Sequence, residues 1–337
     1  MSGLETGIVR SAAELEALEP AWWELWRRSP TSTPFQSPAW LIPWWRHFHP
    51  GELTTAVTWK DGRLVGLAPF YFEVGAHGRR LLPIGISVSD YHDVLLDPEH
   101  ESEAASGLVA EFETEARWDS IECEELPPGA AALGLPEPRG SAEAIARQSS
   151  CPVLDLAGAA LANAVPYTKR RHLNLARNRA RRRGPLEIER VRPEDLPAAF
   201  GHLVRLHALR WESRGEGGVL ADPRVCAFHR EALPRLDAER ILRFYLLRIE
   251  RRVAATLYGF HHAASGYAYL AGFDPAYSFE SPSVILLAHA IEQAIAEGGR
   301  EFHFLRGQEA YKFEWGAVDR WNRRRSFRRI AAERSVA

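Results

Sequence analysis

Between Tyr267 and Lys312 the chain concentrates residue types able to hold and react with a phosphorylated ligand: an apolar run, the loop FDPAYSFESPS, an amphipathic stretch, a second apolar run and FLRGQEAYKFEWG. Val284, Leu287, Ala288, Ile291, Ala294 and Ile295 repeat at i, i+3, i+4 and i+7, which predicts a helix from Pro282 that stops at Gly298-Gly299. A helix entered through Ser281, Pro282 and Ser283 offers unbonded backbone N–H groups and the positive end of its dipole, which suits a pyrophosphate. The two serine hydroxyls add donors, and Pro282 fits a first turn where its missing N–H costs nothing. Glu280 brings a negative charge close to the same place. After the predicted strand EFHFL, Arg306 and Lys312 can attract an anionic acceptor or donor, and Gly307 lets the backbone turn between them. Groups able to take a proton are His303, Glu309, Asp274 and the cluster Asp90, Tyr91, His92 and Asp93. Strand alternation sets His303 on the face opposite Phe302 and Phe304, where it is either a base or a hydrogen-bonded core histidine.

The elements that must position these residues read most clearly in the second half. Helical spacing runs from Asp195 to Arg214 and is stopped by RGEGG, and a second helix is predicted from Asp222 to about Leu236. ILRFYLLRI, VAATLYGFHH and YAYLAGF, joined by short turns, predict a three-strand antiparallel meander, followed by the helix at Pro282 and the strand EFHFL. The first half repeats that order. Helices are predicted at Ala12 to Arg28 and Pro38 to Phe48, strands at LTTAVTWK and RLVGLAPFYFE around an Asp61-Gly62 hairpin signal, and a third strand near Arg80 to Ser87. A helix at Glu99 to Arg117 and the strand SIECEEL complete it. LPPGAAALGLPEPRGS reads as a surface connection, and EAIARQSSCPVLDL as a return to the first sheet. A division near Leu156 gives domains 1–156 and 157–337. A helix packed across a mostly antiparallel sheet, with one strand joining by a crossover, is an α+β arrangement.

Composition narrows the function classes. The chain has 337 residues, 46% hydrophobic and 26% charged, with a formal net charge of −2, so any nucleic-acid or anionic-membrane partner must be met by a local patch. Cys123, Cys151 and Cys226 are too few and too scattered for a disulfide framework or a zinc site, and no metal is expected. The opening residues have neither a basic region nor an apolar core, and no apolar run reaches the ~18 residues of a membrane span, so a cytoplasmic protein is expected. The strongest local charge lies in YTKRRHLNLARNRARRRG. It is either a phosphate-binding surface, which a tRNA could use, or a helix with a solvated basic face near the phosphates of a donor or an anionic saccharide. Trp22, Trp23, Trp26, Trp40, Trp44 and Trp45 fall at helical spacings that suit a core better than a sugar platform. Trp211 with Arg214, beside a glycine-rich loop, is the better aromatic candidate for substrate contact.

In order along the chain, PFQSPAWLIPWWRHF, GLAPFY, LHALRWESRG, FDPAYSFESPSVILL and FHFLRGQEAYKFEWG resemble the GNAT acyltransferases, duplicated in tandem as in the FemABX aminoacyltransferases, and most of all the CelD/BcsL-like (BioF-like) acetyltransferases named for cellulose biosynthesis. Ser283 stands where the related pattern S-P-G has a glycine. The resemblance implies a tandem GNAT fold and transfer of an acetyl or other acyl group from acyl-CoA to an amine or hydroxyl of a small molecule or saccharide precursor. It implies that YAYLAGF splays from its neighbour and offers Ala271, Gly272 and Phe273 to the pantetheine amides, with Ser281, Pro282 and Ser283 at the pyrophosphate. It also implies that Tyr311 can protonate the departing thiolate, beside His303 and Glu309 as catalytic groups. Trp211, Arg214, Arg306 and Lys312 are then candidate acceptor contacts, joined by Asp90, Tyr91 and His92, whose cluster in SDYHDVLL reads either as a functional loop at a strand end or as turn residues and caps in which Asp90 or Asp93 bonds local backbone. Two other functions stay open: an aminoacyl-tRNA-dependent transferase, and a non-catalytic accessory protein of exopolysaccharide assembly.

Overall fold

The computed structural model describes residues 3–115, 117–157, 160–212 and 218–330, and the side chains of residues 210–212 lie outside that description. Two compact units emerge, Met1–Ser149 with Trp321–Ala337, and Ser150–Arg320. The division expected at Leu156 separated two consecutive halves. The chain instead leaves the first unit after Ser149 and returns to it at Trp321.

The first unit contains two sheets. One has the order Leu4–Val9, Thr55–Lys60, Arg63–Ala68, Leu95–Leu96, and the other Glu52–Leu53, Phe70–Gly75, Gly78–Pro83, Ser120–Leu126, Trp321–Arg329, Ser141–Ser150. RLVGLAPFYFE was expected to be one strand. Pro69, which cannot donate to a ladder, divides it, and its two parts join different sheets. The expected helix from Ala12 to Arg28 is likewise two, Ala12–Ala17 and Glu19–Arg28, with Pro20 early in the second. The helix Glu101–Thr114 lays Ala104, Leu108 and Phe112 on the sheets. All six tryptophans of the two tryptophan clusters are buried, and the indole N–H groups of Trp22 and Trp26 donate to the carbonyls of Gln36 and Thr33 at 3.0 and 2.8 Å. Packing is their role.

The second unit is one six-stranded sheet in the order Val153–Asp155, Glu301–His303, Ser265–Phe273, Arg252–His262, Leu242–Ile249, Leu186–Arg190. Every neighbouring pair is antiparallel except Ser265–Phe273 with Glu301–His303. That parallel pair needs a crossover, which the helix Pro282–Ala296 supplies. EAIARQSSCPVLDL is thus shared: Ser141–Ser150 joins the first unit's sheet, and Val153–Asp155 pairs with Glu301–His303. On one face the crossover helix and the basic helix Tyr167–Arg183 bury Ile285, Ala288 and Ile291 against Leu257, Phe302 and Phe304. Helices Leu196–Glu212 and Pro223–Ala238 supply the other buried side chains of the unit, Leu203, Leu206 and Phe228 among them.

Candidate active site

The site begins where one strand pair comes apart. Ser265, Gly266 and Tyr267 pair in parallel with Glu301, Phe302 and His303, and there the pairing ends. Two local features divert the chains. Against Arg252–His262, the register of Ser265–Phe273 slips between Tyr258 and Gly259, leaving Tyr269 as the extra residue of a bulge that bends its strand. Gly259 is required there, because a Cβ would lie 2.2 Å from the Tyr267 carbonyl oxygen. On the other side, Leu305 takes a left-handed φ of 60° and Gly307 one of 107°. The chain after His303 bonds instead to the residues ahead of the first strand, Phe304 N–H to Pro152 at 2.9 Å and Gly307 N–H to Ser150 at 3.0 Å. Ala268–Phe273 therefore keeps one edge without a strand partner among the described residues. Gly272 on this stretch lets the helix Leu196–Glu212 approach, since a Cβ would meet the backbone of Leu206 and His207 at 2.8 Å.

This strand runs straight into the loop. Asp274 caps a short 3-10 turn, Pro275–Glu280, by accepting the Ala276 N–H at 3.0 Å. Ser281 follows in the left-handed conformation, φ 51° and ψ 55°, and Pro282 opens the helix. Val284 N–H bonds back to the Ser281 carbonyl at 3.0 Å. The Ser283 N–H and the hydroxyls of Ser281 and Ser283 have no hydrogen-bond partner among the described residues. The unusual backbone sits at Ser281, while Ser283 lies inside the first helical turn, so the fold does not need glycine at 283.

The basic helix is tied to this loop. Arg183 Nη1 lies 3.0 Å from the carboxylate of the buried Glu280 and 2.9 Å from the Ala276 carbonyl oxygen, with its guanidinium 4.2 Å from the Tyr277 ring centroid. Arg179 donates to the Phe279 carbonyl at 3.2 Å and covers its ring, Arg177 forks onto Glu292 at 2.9 and 3.0 Å, and the buried Lys169 holds Glu314 at 2.7 Å. Arg171, Arg181 and Arg182 remain exposed.

His303 stands at the fork of the two parting strands, its ring stacked on Tyr267 with centroids 4.7 Å apart. Its Nε2 lies 3.3 Å from Glu301, which Arg320 grips with two nitrogens. Burial depresses the imidazole pKa below its ordinary value, and Glu301 opposes that shift only in part, so the ring is neutral near pH 7. The hydrogen bonds from His303 and then Arg320 hold the Glu301 carboxyl down at about 2. In the tail, Lys312 is buried and its ammonium donates to the carbonyls of Leu305, Arg306 and Gly307 at 2.9, 2.7 and 3.0 Å, with Glu309 2.9 Å away. It fastens the turn. Arg306 is half-buried, Tyr311 is exposed, and Gln308 bonds Asp319 at 3.1 Å.

Thus Ala271, Gly272 and Phe273 lead through the loop to Ser281, Pro282 and Ser283, His303 stands opposite Tyr267, further back on the strand that carries Ala271, and Arg306, Glu309, Tyr311 and Lys312 lie on the segment that follows His303, all within the second unit. Asp90, Tyr91 and His92 belong to the first unit, with Tyr91 and His92 buried and Asp90 half-buried. The Tyr91 carbonyl accepts from Gln36 at 2.9 Å, the Asp90 carbonyl accepts from Asn322 at 3.1 Å, and His92 Nδ1 lies 3.2 Å from the Glu124 carbonyl oxygen. Asp93 accepts three backbone N–H groups and the Thr31 hydroxyl, all at 2.8–2.9 Å. Burial nevertheless raises its pKa to about 6. Trp211 lies on the helix Leu196–Glu212, but its side chain and all of Arg214 are outside the described residues. The three cysteines are buried and free, and Cys123 is pushed up to about 12 by burial, which suppresses its thiolate. Among the described residues no cluster of three His, Cys, Asp or Glu is placed to hold a metal, and no helix is long and apolar enough to cross a membrane. Sequence reasoning missed the Arg183–Glu280 pair, although Arg179 and Arg183 stand one turn apart on the helix face that meets the loop.

Comparison with known proteins agrees with this architecture. The family model described as an acetyltransferase (GNAT) domain matches residues 168–313. No curated protein matches the sequence. Among solved structures, FemX superposes with a TM-score of 0.63 at 11% identity, covering 95% of this chain and 96% of its own. A conserved protein of unknown function from Bacteroides thetaiotaomicron gives 0.62 at 12%, covering 96% and 100%. L-PGS from Bacillus licheniformis gives 0.58 at 10%, covering 96% and 93%. At such identities the likeness is one of fold. Residues 168–313 match a GNAT acetyltransferase domain, and the chain as a whole has the α+β, tandem-GNAT fold that it shares with FemX.

Proposed function

We propose that the chain moves an acetyl or other acyl group from acyl-CoA directly to an amine or hydroxyl of a small molecule or saccharide precursor, with the donor held in the second unit. The observation that carries this reading is the strand pair that ends at Tyr267 and His303. It leaves the Ala268–Phe273 edge open just ahead of a helix start with an unbonded Ser283 N–H and two unbonded serine hydroxyls. An extended pantetheine arm carries amides that pair with an open strand edge as a peptide would, and its pyrophosphate suits the helix start. The residues present therefore fit an acyl-CoA.

Such a donor supplies an activated carbonyl and a thiol leaving group. The chain's own residues bind and orient it through Ala271, Gly272 and Phe273 and through Ser281, Pro282 and Ser283. His303, neutral at the fork, can take the proton that an attacking amine gives up as the C–N bond forms. Tyr311, exposed on the tail, can return a proton to the sulfur as the C–S bond breaks. Glu309 belongs to the same tail through its ion pair with Lys312, and Arg306 is the half-buried cation that an anionic acceptor would meet there. Lys169, Arg177, Arg179 and Arg183 are spent within the unit, which weighs against reading the basic helix as a tRNA surface.

Isothermal titration of the whole chain with acetyl-CoA and longer acyl-CoAs tests the donor. Single-site binding is expected, together with thiol release on an amine and sugar panel. Ser283→Asp, which adds a like charge at the pyrophosphate, is expected to weaken binding about tenfold or more. Absence of binding by the unaltered chain overturns the reading. Tight, salt-sensitive tRNA binding with indifference to CoA supports an aminoacyl-tRNA donor instead, and binding without turnover supports an accessory role.

A further inference from the structure

We propose that Arg183 is a positioning residue for donor binding: its guanidinium cancels the Glu280 carboxylate one residue ahead of Ser281, so that the start of helix Pro282–Ala296 stays attractive to an anionic ligand. The inference rests on the acyl-CoA reading above. Glu280 is 5% exposed, so solvent screens its charge poorly. A carboxylate just before a helix is itself stabilised by the unbonded N–H groups and dipole at that end. It therefore competes with a bound pyrophosphate for the same partial positive charge. Arg183 removes the competition through the 3.0 Å contact of Nη1 with Glu280. The same side chain also holds the turn's backbone, by its 2.9 Å bond to the Ala276 carbonyl, and stands over Tyr277. Its Nε lies 3.3 Å from Glu250, in the turn between two strands of the sheet, so the guanidinium is fixed from behind.

Electrostatic cancellation and mechanical anchoring predict opposite results in a double variant. Acyl-CoA affinity is measured by titration at pH 8.5 for the unaltered chain, Arg183→Gln, Glu280→Gln and the two combined, with circular dichroism to verify folding. Cancellation predicts that Arg183→Gln weakens binding about tenfold or more, that Glu280→Gln leaves it equal or tighter, and that the double variant recovers most of the loss. Anchoring alone predicts no recovery, since the bond to Ala276 is absent in both Arg183 variants. A double variant as weak as Arg183→Gln overturns the inference, and so does an Arg183→Gln chain that binds normally. Should Arg183→Gln fold poorly, Glu280→Gln alone decides: equal or tighter binding supports cancellation, and tenfold weaker binding overturns it. If the unaltered chain binds no acyl-CoA, the donor reading falls and this inference with it, an outcome distinct from the others.

Discussion

Lys312 separates a structural cation from a substrate-binding one, and its replacement by methionine shows which it is. The Lys312 side chain is 3% exposed, and its ammonium donates to three consecutive carbonyls, those of Leu305, Arg306 and Gly307, in a turn that contains two left-handed residues. Hydrogen bonds to a charged group contribute about 1.5–3 kcal/mol each. Taking the low end for each bond, and allowing about 1 kcal/mol back for the apolar methionine tip, leaves a loss of roughly 3–4 kcal/mol. For a unit of this size, about 2–4 °C per kcal/mol gives a fall in melting temperature on the order of 10 °C. Calorimetry reads that fall, and hydrogen exchange should show it concentrated in the second unit, first at the amides around Gly307. Because the ammonium is consumed by the turn, acyl-CoA affinity at 15 °C should change by less than about threefold. The reasoning is refuted if Lys312→Met melts like the unaltered chain yet loses binding, for the ammonium would then face the ligand.

Three other outcomes are expected. Gly272→Ala drives a methyl into the Leu206–His207 backbone and should cost about 1–3 kcal/mol in denaturant titration, while displacing the open-edged strand enough to weaken acyl-CoA binding. Glu301, held at about 2 against an ordinary 4.5, has a depressed folded-state pKa. Its stabilisation is fully present above 4.5 and disappears as pH falls toward 2, so Glu301→Gln should flatten that acid limb in unfolding measured between pH 5 and 2. The Tyr258 hydroxyl is fully buried with no hydrogen-bond partner among the described residues, so Tyr258→Phe should stabilise the second unit by about 1 kcal/mol in a melting experiment.

How much of this was legible in the sequence depends on how local the information is. Helix Pro282–Ala296 was readable because its apolar positions repeat every turn and its start and stop are marked by Pro282 and Gly298-Gly299. The three-strand meander was readable for similar reasons. Strand Trp321–Arg329 was not, because WNRRRSFRR hides Phe327 among arginines whose burial depends on distant partners. Arg325 is buried there only because Glu143 and the carbonyls of Ala132 and Leu135 receive its guanidinium. The roles of single charges were the least legible. Lys312 and Arg183 look alike as surface cations in the sequence, and only tertiary contacts show that one fastens a turn and the other meets a buried glutamate. The polar cluster in SDYHDVLL makes the same point, since Asp93 is a backbone acceptor whose donors come from as far along the chain as Ala131 and Ala132.

The return of Trp321–Arg329 to the first unit's sheet has a consequence for biosynthesis. That strand lies between Ser120–Leu126 and Ser141–Ser150, so a sheet whose five other strands all lie within the first 150 residues is also the last to close. A ribosome must deliver the whole of 150–320 before the gap is filled. Until then Ser120–Leu126 presents an unpaired ladder, the kind of edge that chaperones cover and that neighbouring chains can invade. Truncation at the apparent boundary would make that transient state permanent, whereas the excised segment 150–320 retains every strand of its own sheet.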